Sequence, residues 1–552
     1  MNRQYQKWMR FIPIPIILVL IFIGMNAIGG NDIYSVIQTY MPDMNNIFKE
    51  VSRRYVDEVD PEKLFKSGID GMLSTLDPYT AYIEKEDKKQ LEIMTEGKYQ
   101  GVGLPINMRN KIVTVADPPF LGTPSARAGI REGDQIIKVD GTSTKGMDLD
   151  ETVQMIRGPA GSEVTLTIRR EGEKDFLEFK LIREKIKVDD IRYAGVIDEG
   201  IGYIQLTRFS KNAGRETAAA IADLQAKGAN KGLILDLRWN PGGLLEAAVE
   251  VSDLFLPRKA MIVSTKGRTK NSDQEFFSYD HPTYKNGPLV VLVNGISASA
   301  SEIVAGAIQD HDRGIILGDT TFGKGLVQTV VPLSKTSVLK VTTAKYYTPS
   351  GRCIQKHNYS TWLDSSLQTD NGEYRTKNGR IVRGGGGIIP DIVLKPPLYG
   401  NFARDLGRKS LYFNFAVHYA NTHNELNGNF TITDEIFDEF KAYVESKDYE
   451  YTHPIQREIE ALQKEIKQEG YGDDIIRKID ELKTALLDSN VGLFDQSKKD
   501  IKRILRHELA TKFLGTRRAV EIGLEEDLMV QEAVEIIKDR NHYKNVLIAE
   551  NE

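Results

Sequence analysis

The chain has 552 residues, 40% hydrophobic and 27% charged, which is enough for three or four ordinary globular domains. Its 73 Lys and Arg against 78 Asp and Glu leave a formal net charge of −5, so no chain-wide basic footprint for nucleic acid exists. A single cysteine, Cys353, excludes an internal disulfide and a cysteine zinc site, and eight histidines without an HExxH pattern speak against a zinc hydrolase.

Arg3, Lys7 and Arg10 precede an uncharged stretch from Phe11 to Asn31, centred on the apolar run Ile16–Ile23. About 20 residues at 1.5 Å each span the hydrocarbon core of a bilayer. Positive charge before the stretch predicts a cytoplasmic N-terminus with the rest exported. Residues 1–31 are therefore expected to be a membrane anchor, with a cleaved signal peptide as the alternative. Residues 32–95 read as polar and helical, with a Leu-Asp-Pro-Tyr-Thr turn at 76–80.

From 96 to 185 the texture changes to short strands and glycine turns. Lys111–Val115, Gln135–Val139, Val164–Ile168 and Phe176–Ile182 carry strand-like patterns. One short helix is predicted over Leu149–Ile156, ended by Arg157-Gly158-Pro159. Residues 186–400 then alternate. Strands are predicted at Ile201–Leu206, Gly232–Leu237 and Leu289–Val293, and helices at Ala213–Ala226, Leu244–Phe255 and Ser301–Gln309. Such alternation implies an α/β core with substantial parallel pairing, and functional groups in the loops at strand ends. Residues 401–552 are rich in helix formers. Ile455, Ile459, Leu462 and Ile466 are spaced 4, 3, 4, and Ile475, Ile479, Leu482 and Leu486 repeat that spacing after a break at Gly470-Tyr471-Gly472. The pattern predicts a helical hairpin that packs within its domain or on the core, with a dimer contact as the alternative.

Three segments could carry chemistry. In Val293-Asn294-Gly295-Ile296-Ser297-Ala298-Ser299-Ala300-Ser301-Glu302 a buried strand runs through small residues into a helix, which places a serine where free backbone N–H groups meet developing negative charge. In Thr321-Phe322-Gly323-Lys324-Gly325 a lysine sits between glycines and apolar runs. Burial disfavours a charged amine, and a neutral one can accept a proton from serine. In Leu235–Leu244 a buried strand ends at Asn240-Pro241-Gly242-Gly243, where paired glycines let backbone N–H groups approach a reacting centre. Gly242 or Gly243 could give one oxyanion donor and Ala300 the other.

Together these segments resemble the C-terminal processing peptidases, or tail-specific proteases, of the S41 serine peptidase family. The resemblance runs over about residues 40–395 and extends through Tyr346-Tyr-Thr-Pro-Ser-Gly351 and Gly387-Ile-Ile-Pro-Asp391. It implies Ser299 as nucleophile, Lys324 as base and Gln328 as the residue that orients the lysine. It implies a multidomain α/β fold: a crotonase-like ββα protease core over 186–400, an inserted β-rich PDZ domain over 96–185, an N-terminal helical segment over 32–95 and a C-terminal helical domain over 401–552. The PDZ expectation rests on Tyr99-Gln100-Gly101-Val102-Gly103-Leu104, which resembles a carboxylate-binding loop, and on Pro124–Asp134 further on. Gly101, Val102, Gly103 and Leu104 are thus the expected peptide-binding loop, and Arg157 a candidate link between peptide capture and the active site.

The expected activity is serine endopeptidase cleavage of proteins with flexible, apolar C-termini, with no metal or cofactor, in the bacterial envelope. The catalytic part would lie in the periplasm or outside, held to the inner membrane by residues 1–31 or released after signal cleavage. A homodimer or an adaptor protein is a further expected partner; nucleic acid is not. Three rival readings are a non-catalytic PDZ scaffold, an acyl-CoA enzyme on the related core, and a Ser-His-Asp hydrolase using His311 and Asp312.

Overall fold

The computed structural model describes residues 33–357, 359, 372–395, 398–423, 430–469, 472–489 and 492–548. The expected membrane segment lies outside them, as do residues 470 and 471 of the hairpin break. Among the described residues no helix is long and apolar enough to cross a membrane. The described residues divide into two compact units, one up to Tyr82 and one from Ile83 onward.

In the first unit, helices Ile33–Arg54 and Pro61–Leu73 are joined by a turn. Asp60 caps the second helix by accepting the N–H of Glu62 and Lys63, with Pro61 at the first helical position where its missing N–H costs nothing. Phe48 and Phe65 meet edge to face across the pair. The Leu-Asp-Pro-Tyr-Thr segment is a turn, as predicted, because the Asp77 carboxylate accepts the N–H of Tyr79 and Thr80.

The second unit opens with helix Lys85–Glu96 and the β-rich module. Antiparallel strands Ile106–Arg109, Ile112–Val115, Gln135–Val139, Glu163–Arg169 and Leu177–Ile182 form its sheet. Strands Lys98–Gly101 and Glu184–Lys187 pair where the chain enters and leaves. Alternation sets the burial: Val164, Leu166 and Ile168 all point inward. Helix Leu149–Ile156 starts on a capping box between Asp148 and Glu151.

The central sheet runs in the order Ile191–Asp198, Ile201–Leu206, Gly232–Asp236, Leu289–Val293, Ile315–Gly318, Ile392–Val393. The first pair is antiparallel and the remainder are parallel. Gly232–Asp236 and Leu289–Val293 are buried throughout, which is why they read as unbroken apolar runs. Alternate residues serve two layers. Leu233, Leu235, Leu289, Val291 and Val293 pack under helices Ala213–Ala226, Leu245–Asp253 and Ala300–Asp310. Ile234, Val290, Leu292, Ile315 and Leu317 pack against Met529, Val530, Ala533 and Ile537 of helix Leu528–Lys538. The end of the chain therefore completes the α/β core. The fit is close: a Cβ on Gly232 would lie 2.4 Å from Ile537 Cγ2.

A second, antiparallel sheet contains Met261–Gly267, Gln274–Phe277, Leu326–Pro332 and Ser337–Tyr347. Simple strand-helix alternation does not predict it. Its hairpin at 333–336 turns on the Ser334 hydroxyl, which accepts the N–H of Thr336 and Ser337, so no glycine marks the turn.

The described residues between 401 and 525 are mostly helical, with an aromatic core in which Phe415 and Phe440 meet edge to face and Tyr412 stacks on Phe440. The predicted hairpin is present as Pro454–Gln468 and Asp473–Ser489. Ile459 and Ile479 are buried in its seam, while Ile455, Leu462, Ile475 and Leu482 remain exposed. This helical region also holds the β-rich module: Lys512 pairs with Glu132 at 2.8 Å out of solvent, and the Arg109 guanidinium lies 3.7 Å from the Phe413 ring centroid.

Ile537→Ala is expected to destabilise the protease core by about 2–4 kcal/mol, by lost transfer energy and a cavity under Gly232. Urea unfolding of the purified chain checks this. A change below about 0.5 kcal/mol would show that the C-terminal helix is a loose attachment.

Candidate active site

Three loops at the carboxyl ends of adjacent parallel strands meet at one place: 237–243, 294–299 and 319–325. Asn294 ties the first two, its side-chain carbonyl accepting the N–H of Trp239 and of Ile296. Phe322 N–H donates to the Ser297 carbonyl and ties in the third.

The three serines of the second loop have different tasks. Ser297 is 0% exposed and its hydroxyl donates to the Leu237 carbonyl. Ser301 is also 0% exposed and its hydroxyl donates to the Asn240 carbonyl. Both are structural. Ser299 is half-buried and sits at the start of helix Ala300–Asp310 with φ 54° and ψ −114°. A positive φ on a serine is strained backbone, and such strain collects where a side chain must be held out of a regular element. Tyr346, fully buried, donates its hydroxyl to the Ser299 carbonyl at 3.3 Å and braces the strained residue.

Glu302 connects this turn to the lysine loop. Its carboxylate is 0% exposed and accepts four donors: Ser299 N–H at 2.8 Å, Lys324 N–H at 3.0 Å, Gly323 N–H at 2.7 Å and the Thr321 hydroxyl at 2.6 Å. The Ser299 and Lys324 N–H groups share one oxygen, Oε2, so the two backbone positions are held within the sum of two hydrogen bonds. Burial pushes the Glu302 carboxyl up to about 7, and the four donors oppose that rise. The glycines beside Lys324 permit close packing: a Cβ on Gly323 would lie 2.7 Å from Lys356 Cβ, and one on Gly325 would lie 2.8 Å from Gln355 N. Lys324 itself is half-buried.

The two glycines expected to offer an oxyanion donor differ in where their N–H groups go. Gly242 N–H donates to Asn240 Oδ1 at 2.9 Å and is already engaged. Gly242 supplies space instead. At φ 98° its missing Cβ would lie 2.6 Å from the Ala298 carbonyl oxygen and 2.9 Å from both Ala300 N and Ser299 Cβ. Among the described residues none accepts the N–H of Gly243 or of Ala300. The loop is anchored from below by Asp236, which binds Arg238 and takes the Tyr203 hydroxyl at 2.6 Å. Arg238 reaches on to Asp527 at 2.8 Å, just before the C-terminal helix. Burial works against the Arg238 charge, but Asp236 and Asp527 outweigh it and hold the guanidinium above its ordinary value.

Gln328 lies four residues beyond Lys324 on strand Leu326–Pro332, at a β-bulge, and its amide donates to Thr342 Oγ1 at 3.3 Å. In the β-rich module, Gly101, Val102 and Leu104 border a cavity of about 240 Å³ that is also lined by Ile106, Phe120, Val153 and Ile156. Val102 and Leu104 are buried, and at φ 78° Gly103 packs so closely that a Cβ would lie 2.4 Å from Thr123 Cβ. Arg157 donates to Gln90 Oε1 at 3.1 Å and lies 5.1 Å from the Tyr99 ring centroid. It reaches the helix before the module, not the serine. His311 caps the far end of helix Ala300–Asp310, about 18 Å from Ser299 at 1.5 Å per residue, and contacts the Met261 carbonyl. Asp312 binds Arg380. A Ser299-His311-Asp312 triad is thereby excluded.

Sequence reasoning gave no role to Glu302, Tyr346 or the Asp236–Arg238–Asp527 chain. The first had a signal: Ser-x-x-Glu is capping-box spacing, and here the glutamate serves a lysine loop as well.

Glu302→Gln removes the titration and keeps the shape. The folded chain holds the Glu302 proton up to about pH 7, whereas the unfolded chain releases it near 4.5. The folded state therefore binds more protons in that interval, and wild-type stability relative to Glu302→Gln is expected to fall as pH rises through it. Urea midpoints of both proteins at pH 5 and pH 8 measure this. A relative gain for the wild type at pH 8 would contradict the assignment.

Comparison with known proteins agrees with this architecture. Residues 200–361 match the peptidase family S41, residues 121–170 a PDZ domain, residues 402–537 the C-terminal helical domain of probable PDZ-proteases, and residues 31–87 the N-terminal domain of the activating protease CtpB. The carboxy-terminal-processing protease of Bartonella bacilliformis is 41% identical over 372 residues, covering 66% of this chain and 78% of that protein. The carboxy-terminal processing protease CtpA of Bacillus subtilis is 36% identical over 351 residues, covering 63% and 74%. A solved photosystem II D1 C-terminal processing protease is similar at 31% identity, over 64% of this chain and 92% of that one, with a TM-score of 0.35. The chain belongs to the carboxy-terminal processing proteases of peptidase family S41, serine-type peptidases that here carry a PDZ domain.

Proposed function

We propose that this protein captures flexible, apolar protein C-termini with its PDZ domain and cleaves peptide bonds with a Ser299–Lys324 dyad. The observation that carries the reading is the shared Glu302 oxygen, which draws the backbones of Ser299 and Lys324 to one point. Ser299 is also the one serine of its stretch that is neither fully buried nor engaged in tying loops.

In the reaction, the neutral Lys324 amine takes the proton of Ser299 Oγ as that oxygen attacks the peptide carbonyl carbon. The oxyanion is received by the N–H groups of Ala300 and Gly243, where loss of one donor costs about 10²–10³ in rate. The tetrahedral intermediate expels the amine, which leaves with the proton held by Lys324. Water then attacks the acyl ester, again deprotonated by Lys324, and Ser299 is released. Gln328 orients the lysine: with its amide N–H on Thr342, its carbonyl remains as an acceptor for the ammonium. The charge and hydropathy of residues 1–31 support export with retention at the inner membrane of a bacterial envelope, where envelope proteins with loose tails are the substrates.

The test uses an unfolded reporter protein with and without an apolar C-terminal tail. Wild type is expected to cleave the tailed form faster. Ser299→Ala and Lys324→Ala are each expected to lose at least about 10³-fold in turnover while still binding the tail. Substantial cleavage by a folded Lys324→Ala variant would remove the dyad, and equal rates on both reporters would remove the capture step.

A further inference from the structure

The carboxylate seat of the PDZ groove already faces a side chain. Tyr99 stands on strand Lys98–Gly101, two residues before Gly101, so both lie on the same face of the strand. Its ring leans toward the loop, and a Cβ on Gly101 would lie 2.9 Å from Tyr99 Cε2. The ring lines the 240 Å³ cavity together with Gly101, Val102 and Leu104. From the other side, the Arg157 guanidinium lies 5.1 Å from its centroid and is itself fixed by Gln90.

The loop N–H groups matter most. A captured C-terminus would place its carboxylate against the backbone N–H groups of this loop. Among the described residues no carbonyl or carboxylate accepts the N–H of Gly103 or Leu104. The Tyr99 hydroxyl lies close enough to both N–H groups for each to act on its ionisation. Burial raises the phenol above its ordinary value, while Arg157 and the N–H groups of Leu104 and Gly103 pull it back.

We propose that the Tyr99 hydroxyl occupies the terminal-carboxylate seat of the PDZ groove in the free protein, and that an arriving C-terminus must displace it. The inference rests on the reading of this module as the site that captures C-termini. A neutral phenol oxygen is a weak competitor for two N–H groups, and a carboxylate makes charge-assisted bonds about twice as strong. The occupant thus sets a threshold. A free C-terminus expels it, whereas an amidated end or an internal loop gains too little to do so. The intrinsic affinity of the groove is reduced by the fraction of molecules in which the seat is open. Tyr99 is accordingly a specificity-determining residue of capture, remote from the chemical step.

The test is binding of a fluorescent apolar peptide to the full chain in the Ser299→Ala background, with the peptide as free acid and as C-terminal amide. Tyr99→Phe keeps the ring and removes the hydroxyl. It is expected to bind the free acid about three- to tenfold more tightly, the range that one neutral hydrogen bond of ordinary net strength spans. A tyrosine with a merely structural role would show no gain on losing its hydroxyl. If wild type prefers acid to amide and Tyr99→Phe binds no more tightly, the seat proposal is overturned and capture stands. If no form distinguishes acid from amide, the capture reading fails and the proposal with it. Should Tyr99→Phe not fold, 3-fluorotyrosine placed at position 99 reads the same step. Its ¹⁹F resonance is expected to shift with the free acid and not with the amide, and an unshifted resonance at saturation overturns displacement.

Discussion

A carboxylate with no access to water is costly unless every lone pair finds a donor, and Glu302 is such a group. Its four donors come from two loops that are distant in sequence, one holding Ser299 and the other Lys324. Neither loop alone can satisfy it. Folding therefore drives the loops together, and the geometry of the serine and lysine follows from the solvation needs of a third residue. The raised Glu302 carboxyl shows that four neutral donors do not fully offset its burial.

The remaining supports act from outside this node. The two-faced sheet sets the three loops side by side, and its second face is closed by residues near the end of the chain. The same end supplies Asp527 to Arg238, which steadies the glycine loop beside Ser299. The C-terminal helices are thereby linked to the glycine loop through one half-buried ion pair. The helical domain between them grips the PDZ domain through Lys512 and Glu132, where burial lowers the amine and raises the carboxyl while each opposes the shift in the other.

Much of this was legible in the sequence. Unbroken runs such as Leu289–Val293 mark strands buried on both faces, and Val164, Leu166 and Ile168 mark one buried on a single face. The Ser299 and Lys324 segments stood out because small residues and paired glycines have few other reasons to cluster after a strand. The antiparallel sheet was not legible, since its hairpin turns on Ser334 rather than on glycine. The role of Glu302 was hidden because its partners lie 3 and about 20 residues away, a distance that only the fold closes. The Asn240 side chain takes the N–H of Gly242, and no spacing rule contains that.

In the proposed reaction Glu302 organises the Ser299–Lys324 pair without taking part in substrate capture. The most direct measurement is kcat and KM of Glu302→Gln on a tail-bearing unfolded substrate at pH 8. The amide cannot accept from all four donors, so kcat is expected to fall by about 10²-fold or more, as for a lost oxyanion donor. KM should stay within about threefold of wild type, because the tail is held in the PDZ groove. A kcat within about twofold of wild type, in a variant that folds, would contradict the account.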